Sequence, residues 1–182
     1  PDFKLNKNII DRRLKLMEKE GVKFVTNTEI GENIKAKELL AEYDAICVAI
    51  GSQVPRNLPI EGRELKGVYN AMEYLTMQNK LVAKEDVPAE QMIDAEGKNV
   101  LVIGGGDTGS DCIGTANRQG AASILQIEIL PKPQKLEDLN DVWPEPYPVV
   151  LKTSSSHQEG CERRWSVNTK RFIGEDGKLT AV

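Results

Sequence analysis

The apolar positions of the chain follow two periods, and the switches between them divide it into elements. Over residues 6–20, Ile10, Leu14 and Met17 recur at i, i+4 and i+7 with Ile9 and Leu16 beside them. This predicts an amphipathic helix capped by Asn6 and closed at Gly21. Residues 22–26 (VKFVT) predict a short strand, and 36–43 a short helix with Leu39 and Leu40 inward. Residues 44–50 (DAICVAI) form a near-continuous apolar run, the pattern of a buried parallel strand. Residues 55–67 (PRNLPIEGRELKG) are rich in Pro and Gly and predict a crossover, the best candidate for a domain boundary. Residues 69–82 read as helical and 83–98 as a charged, exposed connection. A strand at 100–103 (VLVI), a helix from Asp107 to Gly120 and a strand at 123–130 (SILQIEIL) follow.

The last third is punctuated differently. Pro131, Pro133, Pro144, Pro146 and Pro148 exclude a helix or central strand over 131–148, and Trp143 and Tyr147 are expected to pin this stretch to the body. Ser156 with Glu159 fits a capping box for a helix reaching about residue 163. A strand is expected over 165–173, a turn over 174–177 and a partner strand over 178–182. The fold class is therefore α/β, with helices covering a parallel sheet.

The richest chemistry lies at 99–111 (NVLVIGGGDTGSD). Gly104, Gly106 and Gly109 fit G-x-G-x-x-G between a strand and a helix, the place where a dinucleotide fold needs it. Gly104 permits the tight turn, Gly106 the close approach of backbone to a pyrophosphate, and Gly109 close packing of helix on strand. The free N–H groups and positive dipole end of the helix would face phosphates. The alternative is a tight strand–helix turn without a ligand. Glu128 lies 24 residues after Gly104, near the end of the second strand, where a carboxylate bonds the adenine ribose hydroxyls and repels a 2′-phosphate. Lys132, four residues on, would attract that phosphate, so the two cues conflict over NADH and NADPH. Gly51 follows the apolar run at 44–50, at a strand end where ligands bind open α/β sheets. By spacing alone, a cofactor loop and a plain turn stand equal there. Arg163 and Arg164 form a surface pair or a phosphate clamp.

Composition narrows the function classes. The 182 residues are 40% hydrophobic and 29% charged with net charge −4, which offers no general basic field for nucleic acid or membrane. No apolar run approaches the roughly 18 residues of a membrane span. Cys47, Cys112 and Cys161 are odd in number and widely spaced, against a disulfide scaffold, zinc or iron–sulfur site. A cytoplasmic setting with reduced thiols is expected. His157 is the one histidine, no nucleophile motif accompanies it, and it reads as a polar loop residue. The chain opens at Pro1 without Met or a signal pattern, so an excised interior piece is expected.

Several segments together resemble one family. PDFKL at 1–5, IDRR at 10–13, AIGS at 49–52 with Pro55-Arg56, VIGGGDTGSDC at 102–112, LPKP at 130–133, SSSHQEG at 154–160 and RWSVNTKRFIG at 164–174 are similar to the small (beta) subunit of glutamate synthase. The resemblance implies a flavoprotein with two Rossmann-like dinucleotide-binding domains, the nicotinamide domain inserted into the flavin domain. It implies electron flow from NADPH or NADH through FAD and iron–sulfur clusters to a large subunit that makes glutamate from glutamine and 2-oxoglutarate. On that pattern Gly104, Gly105, Gly106, Asp107, Thr108 and Gly109 would hold the nicotinamide dinucleotide, with Glu128, Lys132 and Arg164 around it, and Gly51 would lie near the flavin. Residues 1–66 would be a partial flavin-domain segment and 67–182 an NAD(P)H-binding domain incomplete at its C-terminus. The flavin-domain glycine motif, the cysteine-rich cluster segment and the last flavin-contacting part are absent, so the clusters would lie outside this chain. The piece alone is expected to turn nothing over. Where NADPH-using relatives carry an Arg pair after the second strand, Ile129 and Leu130 stand here. Hydride transfer requires no acid or base, so no catalytic side chain is named. Two alternatives stay open: a paralogous flavin subunit serving another partner such as ferredoxin, and a non-catalytic dinucleotide-binding module.

Overall fold

A computed structural model describes residues 1–52, 54–135 and 150–182. Gln53 and residues 136–149 lie outside it, and with them the expectation that Trp143 and Tyr147 pin the proline-rich stretch. The chain divides into two compact units, one of Asp2–Pro55 and one of Arg56–Val182 with Pro1.

The smaller unit holds helix α1 (Lys7–Lys19) and helix α2 (Ala36–Glu42). Asn6 caps α1 as its pattern requires, its side-chain oxygen accepting the Asn8 N–H at 2.9 Å. The two strands expected at 22–26 and 44–50 are not formed. Both stretches run without a ladder, and Val25, Val48 and Ile50 are 72%, 74% and 82% exposed. Apolar pattern sets which face a strand would bury, but a strand exists only where a neighbouring backbone takes its N–H and C=O groups. Among the described residues, none pairs with these two segments. Among the described residues of this unit, none is buried.

The larger unit has a core. Helix α3 (Ala71–Val82), strand β1 (Asn99–Ile103), helix α4 (Asp107–Gln119) and strand β2 (Ser123–Glu128) follow one another. Beyond residue 150 come helix α5 (Ser155–Glu159), strand β3 (Glu162–Trp165) and a hairpin of β4 (Ile173–Glu175) and β5 (Lys178–Ala181). β1, β2 and β3 form a parallel sheet in that order, a Rossmann-like βαβ arrangement in which α4 is the crossover from β1 to β2. Val102 pairs with Gln126, Gln126 with Arg163, and Glu128 with Trp165. Side chains alternate across a strand, so these five share one face.

α4 lies against that face and α3 packs on α4, and Leu75, Met77, Val102, Ile113, Ala116 and Ile124 belong to the one buried cluster they form. Polar links fix α4 to α3 at its C-terminal end. Gln119 Oε1 accepts from the Tyr74 hydroxyl at 2.7 Å and from the Ala95 N–H at 2.9 Å, and its amide donates to Gln78 at 2.7 Å. The connection before β1 is less exposed than its charge predicts, because Ala95 is buried in this core. Gly120 ends α4 in the left-handed region at φ +82°.

The C-terminal elements depart from their patterns. The helix ends at Glu159 rather than near 163, and its capping box joins Ser154 to His157, not Ser156 to Glu159. Residues 162–165 (ERRW) form β3, held by pairing with β2.

Burial in this core carries a pH dependence. Desolvation, helped by the Asp111 carboxylate, pushes the Cys112 thiol from its ordinary 9.0 up to about 12. Desolvation, then the thiol and Asp94, also pushes the Tyr74 phenol up. Above pH 9 the unfolded thiol loses its proton while the folded one keeps it, so the unfolded state binds fewer protons and stability falls. The expected slope from Cys112 is about 1.4 kcal/mol per pH unit between its two values. Denaturant melts between pH 8 and 10.5 should show this decline, and Cys112→Ala should flatten its onset; equal slopes in both proteins would refute the assignment.

Candidate functional site

The strand-end loop of β1 carries the glycine motif. Gly104 turns the chain at φ +117°, a conformation side chains with a Cβ rarely adopt. Gly106 is the N-cap of α4, and a Cβ there would meet nothing within 4 Å. Gly109 sits where helix meets strand: a Cβ would stand 2.6 Å from the Gly104 carbonyl oxygen and 3.4 Å from Val102 Cγ1. The three glycines thus sit at the turn, at the N-cap of α4 and at the helix–strand contact. Gly105, Gly106, Asp107 and Thr108 are exposed, and the first turn of α4 presents N–H groups that have no acceptor inside the helix. Open space above Gly106 and outward-facing amides are what a pyrophosphate requires, so these residues fit a dinucleotide.

Glu128 ends β2 beside this loop. Its carboxylate lies against Gly105, so close that a Cβ on Gly105 would run into it. Glu128 Oε1 also accepts from the Leu130 N–H at 3.4 Å. Lys132 stands over the Trp165 ring, Nζ 5.0 Å from its centroid, with the Arg163 guanidinium 4.9 Å from that centroid. Trp165 is paired with Glu128, which brings Glu128, Lys132, Trp165 and Arg163 to the carboxyl ends of β2 and β3.

Arg164 stands apart from that group. It pairs with Ile127, so alternation directs it to the sheet face opposite α4, where its Nε donates to Glu162 at 2.7 Å on an exposed surface. Of the two arginines in the pair, register places Arg163 on the glycine-loop face. Arg163 donates to the Lys152 carbonyl at 3.1 Å. Gly51 belongs to the other unit, at φ +67° with open space around it.

Behind the loop lies a polar layer that periodicity did not reveal. Gln126, 2% exposed, donates its amide to the Gly104 carbonyl at 2.8 Å and meets His157 Nε2 at 3.0 Å through Oε1. His157 is therefore not a loop residue but part of α5. That helix is tied to α4 at three points. Ser110 and Ser154 hydroxyls bond at 2.5 Å, Asn117 donates to the Gly160 carbonyl at 3.0 Å, and Arg118 pairs with Glu159 through both nitrogens at 2.5 and 3.0 Å.

A family model described as pyridine nucleotide-disulphide oxidoreductase matches residues 32–181, most of the chain. The chain belongs to this oxidoreductase family. The resemblance carried by the sequence segments is also present in whole-chain comparisons. The chain is 45% identical to the glutamate synthase (NADPH) small chain of Mycobacterium tuberculosis, over 100% of this chain and 38% of that protein. It is 43% identical to the glutamate synthase (NADPH) small chain of Bacillus subtilis, over 98% of this chain and 38% of that one. Against the glutamate synthase (NADH) of Saccharomyces cerevisiae it is 43% identical, over 100% of this chain and 9% of that protein. The chain thus spans well under half the length of each. Among the described residues no helix is long and apolar enough to cross a membrane.

Proposed function

We propose that this chain is the nicotinamide-dinucleotide-binding portion, with an adjoining flavin-domain segment, of a glutamate synthase small subunit. The observation that carries this reading is the loop at 104–109, set at a parallel strand end with exposed amides, in a chain of an oxidoreductase family. Residues 67–182 are read as the NAD(P)H domain and 1–66 as the flavin-domain segment, with Gly51 at a turn facing the flavin. Gly104, Gly105, Gly106, Asp107, Thr108 and Gly109 would seat the pyrophosphate on the α4 N-terminus. Glu128 would accept from the adenine ribose, and Lys132, held over Trp165, would meet a 2′-phosphate when one is present. Residues 104–109 would hold a nicotinamide dinucleotide, which would supply a hydride for an FAD; iron–sulfur clusters and a large subunit that makes glutamate would be the onward electron acceptors in this reading. The chain's own residues bind and orient; none has to move a proton. Arg164, directed to the opposite sheet face and paired with Glu162, is assigned no contact with the nucleotide in this reading.

Anaerobic mixing of the full-length small subunit with NADH or NADPH should bleach its flavin absorbance, and Gly106→Val should slow this through weaker nucleotide binding. Unchanged flavin reduction in that variant would remove the loop from the reading. Cofactor choice is expected to follow the two charges. Glu128→Gln should shift the ratio of NADPH to NADH affinity upward by about fivefold, and Lys132→Ala should shift it downward by about the same factor. Fluorescence titration of both cofactors checks this, and a ratio unmoved by either change would show that neither side chain reaches the ribose.

A further inference from the structure

His157 lies far from the glycine loop in sequence, yet one continuous run of hydrogen bonds joins them. The Ser154 backbone N–H meets His157 Nδ1 at 3.0 Å, His157 Nε2 meets Gln126 Oε1 at 3.0 Å, and Gln126 Nε2 meets the Gly104 carbonyl oxygen at 2.8 Å. Both ends of this run are backbone groups with only one possible role. A peptide N–H can only donate, so Nδ1 is the unprotonated nitrogen and the ring proton sits on Nε2. A peptide carbonyl can only accept, so the Gln126 NH2 faces Gly104 and its oxygen faces the histidine. The two ends agree, and the whole run has one polarity: Ser154 to His157 to Gln126 to Gly104. Gln126 is 2% exposed, so water does not compete for its amide. α5 is fastened to α4 by the Ser110–Ser154 and Arg118–Glu159 bonds, so the histidine is held by the helix whose first turn faces the ligand.

The target of the run is what gives it a consequence. In a planar trans peptide the C=O and the following N–H point in opposite directions. Drawing the Gly104 carbonyl inward toward Gln126 turns the Gly105 N–H outward, to the exposed side of the loop. Gly104, at φ +117°, has the conformational freedom to lose that aim, and a bond to its carbonyl removes the freedom.

We propose that His157 is a positioning residue for the dinucleotide loop, in its Nε2–H form, acting through Gln126 and the Gly104–Gly105 peptide plane to aim the Gly105 amide at the pyrophosphate. This deepens the nucleotide-binding reading and rests on it for the ligand. Sequence alone obscures the link, because a Gln on a strand and a His after a Ser run carry no shared period.

The test uses the 182-residue chain labelled with nitrogen-15. It contains one histidine, so the imidazole resonances belong to His157. The expected spectrum shows a protonated Nε2 and an unprotonated Nδ1; a protonated Nδ1 in the neutral ring would overturn the proposal. His157→Phe keeps a ring and removes both nitrogens, and Gln126→Met removes the amide while keeping an unbranched chain. Each should move the Gly105 amide resonance and weaken NADH or NADPH binding by about three- to tenfold, the worth of one hydrogen bond. Ile113→Val, a core change outside the run, serves as a control that lowers stability without moving Gly105. Unmoved Gly105 resonances with affinity within twofold of wild type would overturn the positioning role while leaving the nucleotide site standing. A wild-type chain that binds neither cofactor, with Gly105 still responding to both variants, would overturn the nucleotide site while leaving the positioning role. Should His157→Phe fail to fold, Gln126→Met and the wild-type tautomer decide.

Discussion

Gly109→Val is expected to abolish measurable dinucleotide binding and to destabilise the larger unit by at least about 1–3 kcal/mol, the usual cost of forcing extra atoms into a filled interior. The clash is with backbone, which cannot step aside as a side-chain tip can. A Cβ alone would stand 2.6 Å from the Gly104 carbonyl oxygen and 3.1 Å from Gln126 Nε2. Two responses relieve it. α4 can lift off β1, which opens the core around Val102 and Ile113, or the Gly104 peptide can rotate, which turns the Gly105 amide away from the ligand. Either response removes the phosphate seat, so stability and binding should fall together. Denaturant melts and cofactor titration measure the two. Wild-type affinity in a folded Gly109→Val chain would show that helix–strand proximity does not shape the loop.

Ile113→Ala separates packing from binding. Ile113 is 0% exposed, on α4 one turn beyond Gly109, in the buried cluster that α4 forms with α3 and the sheet strands β1 and β2. Truncating it removes three carbons from a fully buried side chain and leaves a cavity among Val102, Leu75 and Ala116. Such changes cost about 2–5 kcal/mol, depending on how far the surroundings collapse. The loop glycines and the Gly104–Gln126 bond are untouched, so affinity measured where the variant remains folded should match wild type. Denaturant melts give the first quantity and titration the second. A loss below about 0.5 kcal/mol, the range of surface substitutions, would place Ile113 outside the core.

The nucleotide half of the fold was legible because several local signals agree there. The run at 100–103, the glycines, the helical period through Ile113 and Ala116, and the strand at 123–128 each support the same βαβ unit, and consistency across levels is what specifies a structure. The misses have definite causes. Residues 22–26 and 44–50 have strand patterns, but pattern does not provide the partner backbone that makes a strand. ERRW at 162–165 has three charged residues in four and looks like helix or loop; pairing with β2 overrides that local preference. The capping box slipped by two residues because Ser154, Ser155 and Ser156 are all good caps, and a histidine side chain serves as the reciprocal partner where Glu or Gln is the usual one.

The candidate site was legible in its loop and less so around it. Gly104, Gly106 and Gly109 could be assigned roles from spacing alone; the structure shows Gly104 at a positive-φ turn, Gly106 in open space and Gly109 where helix meets strand, while their part in binding a nucleotide stays a proposal. Choosing between Arg163 and Arg164 needed the register, since one residue of shift exchanges the two faces of a strand. Gln126 and His157 could not be found by period at all. Their link depends on α5 docking on α4 and β2, a tertiary fact with no local trace.

The loop at 104–109 is proposed to bind a nicotinamide dinucleotide. Titrating the nitrogen-15-labelled 182-residue chain separately with NADH and NADPH tests it most directly. Saturable binding of at least one cofactor at a single site is expected, with the amide resonances of Gly105, Gly106, Asp107 and Thr108 moving most and those of residues 2–52 moving least. No saturation with either cofactor, or saturation that leaves the resonances of the loop in place, would contradict it.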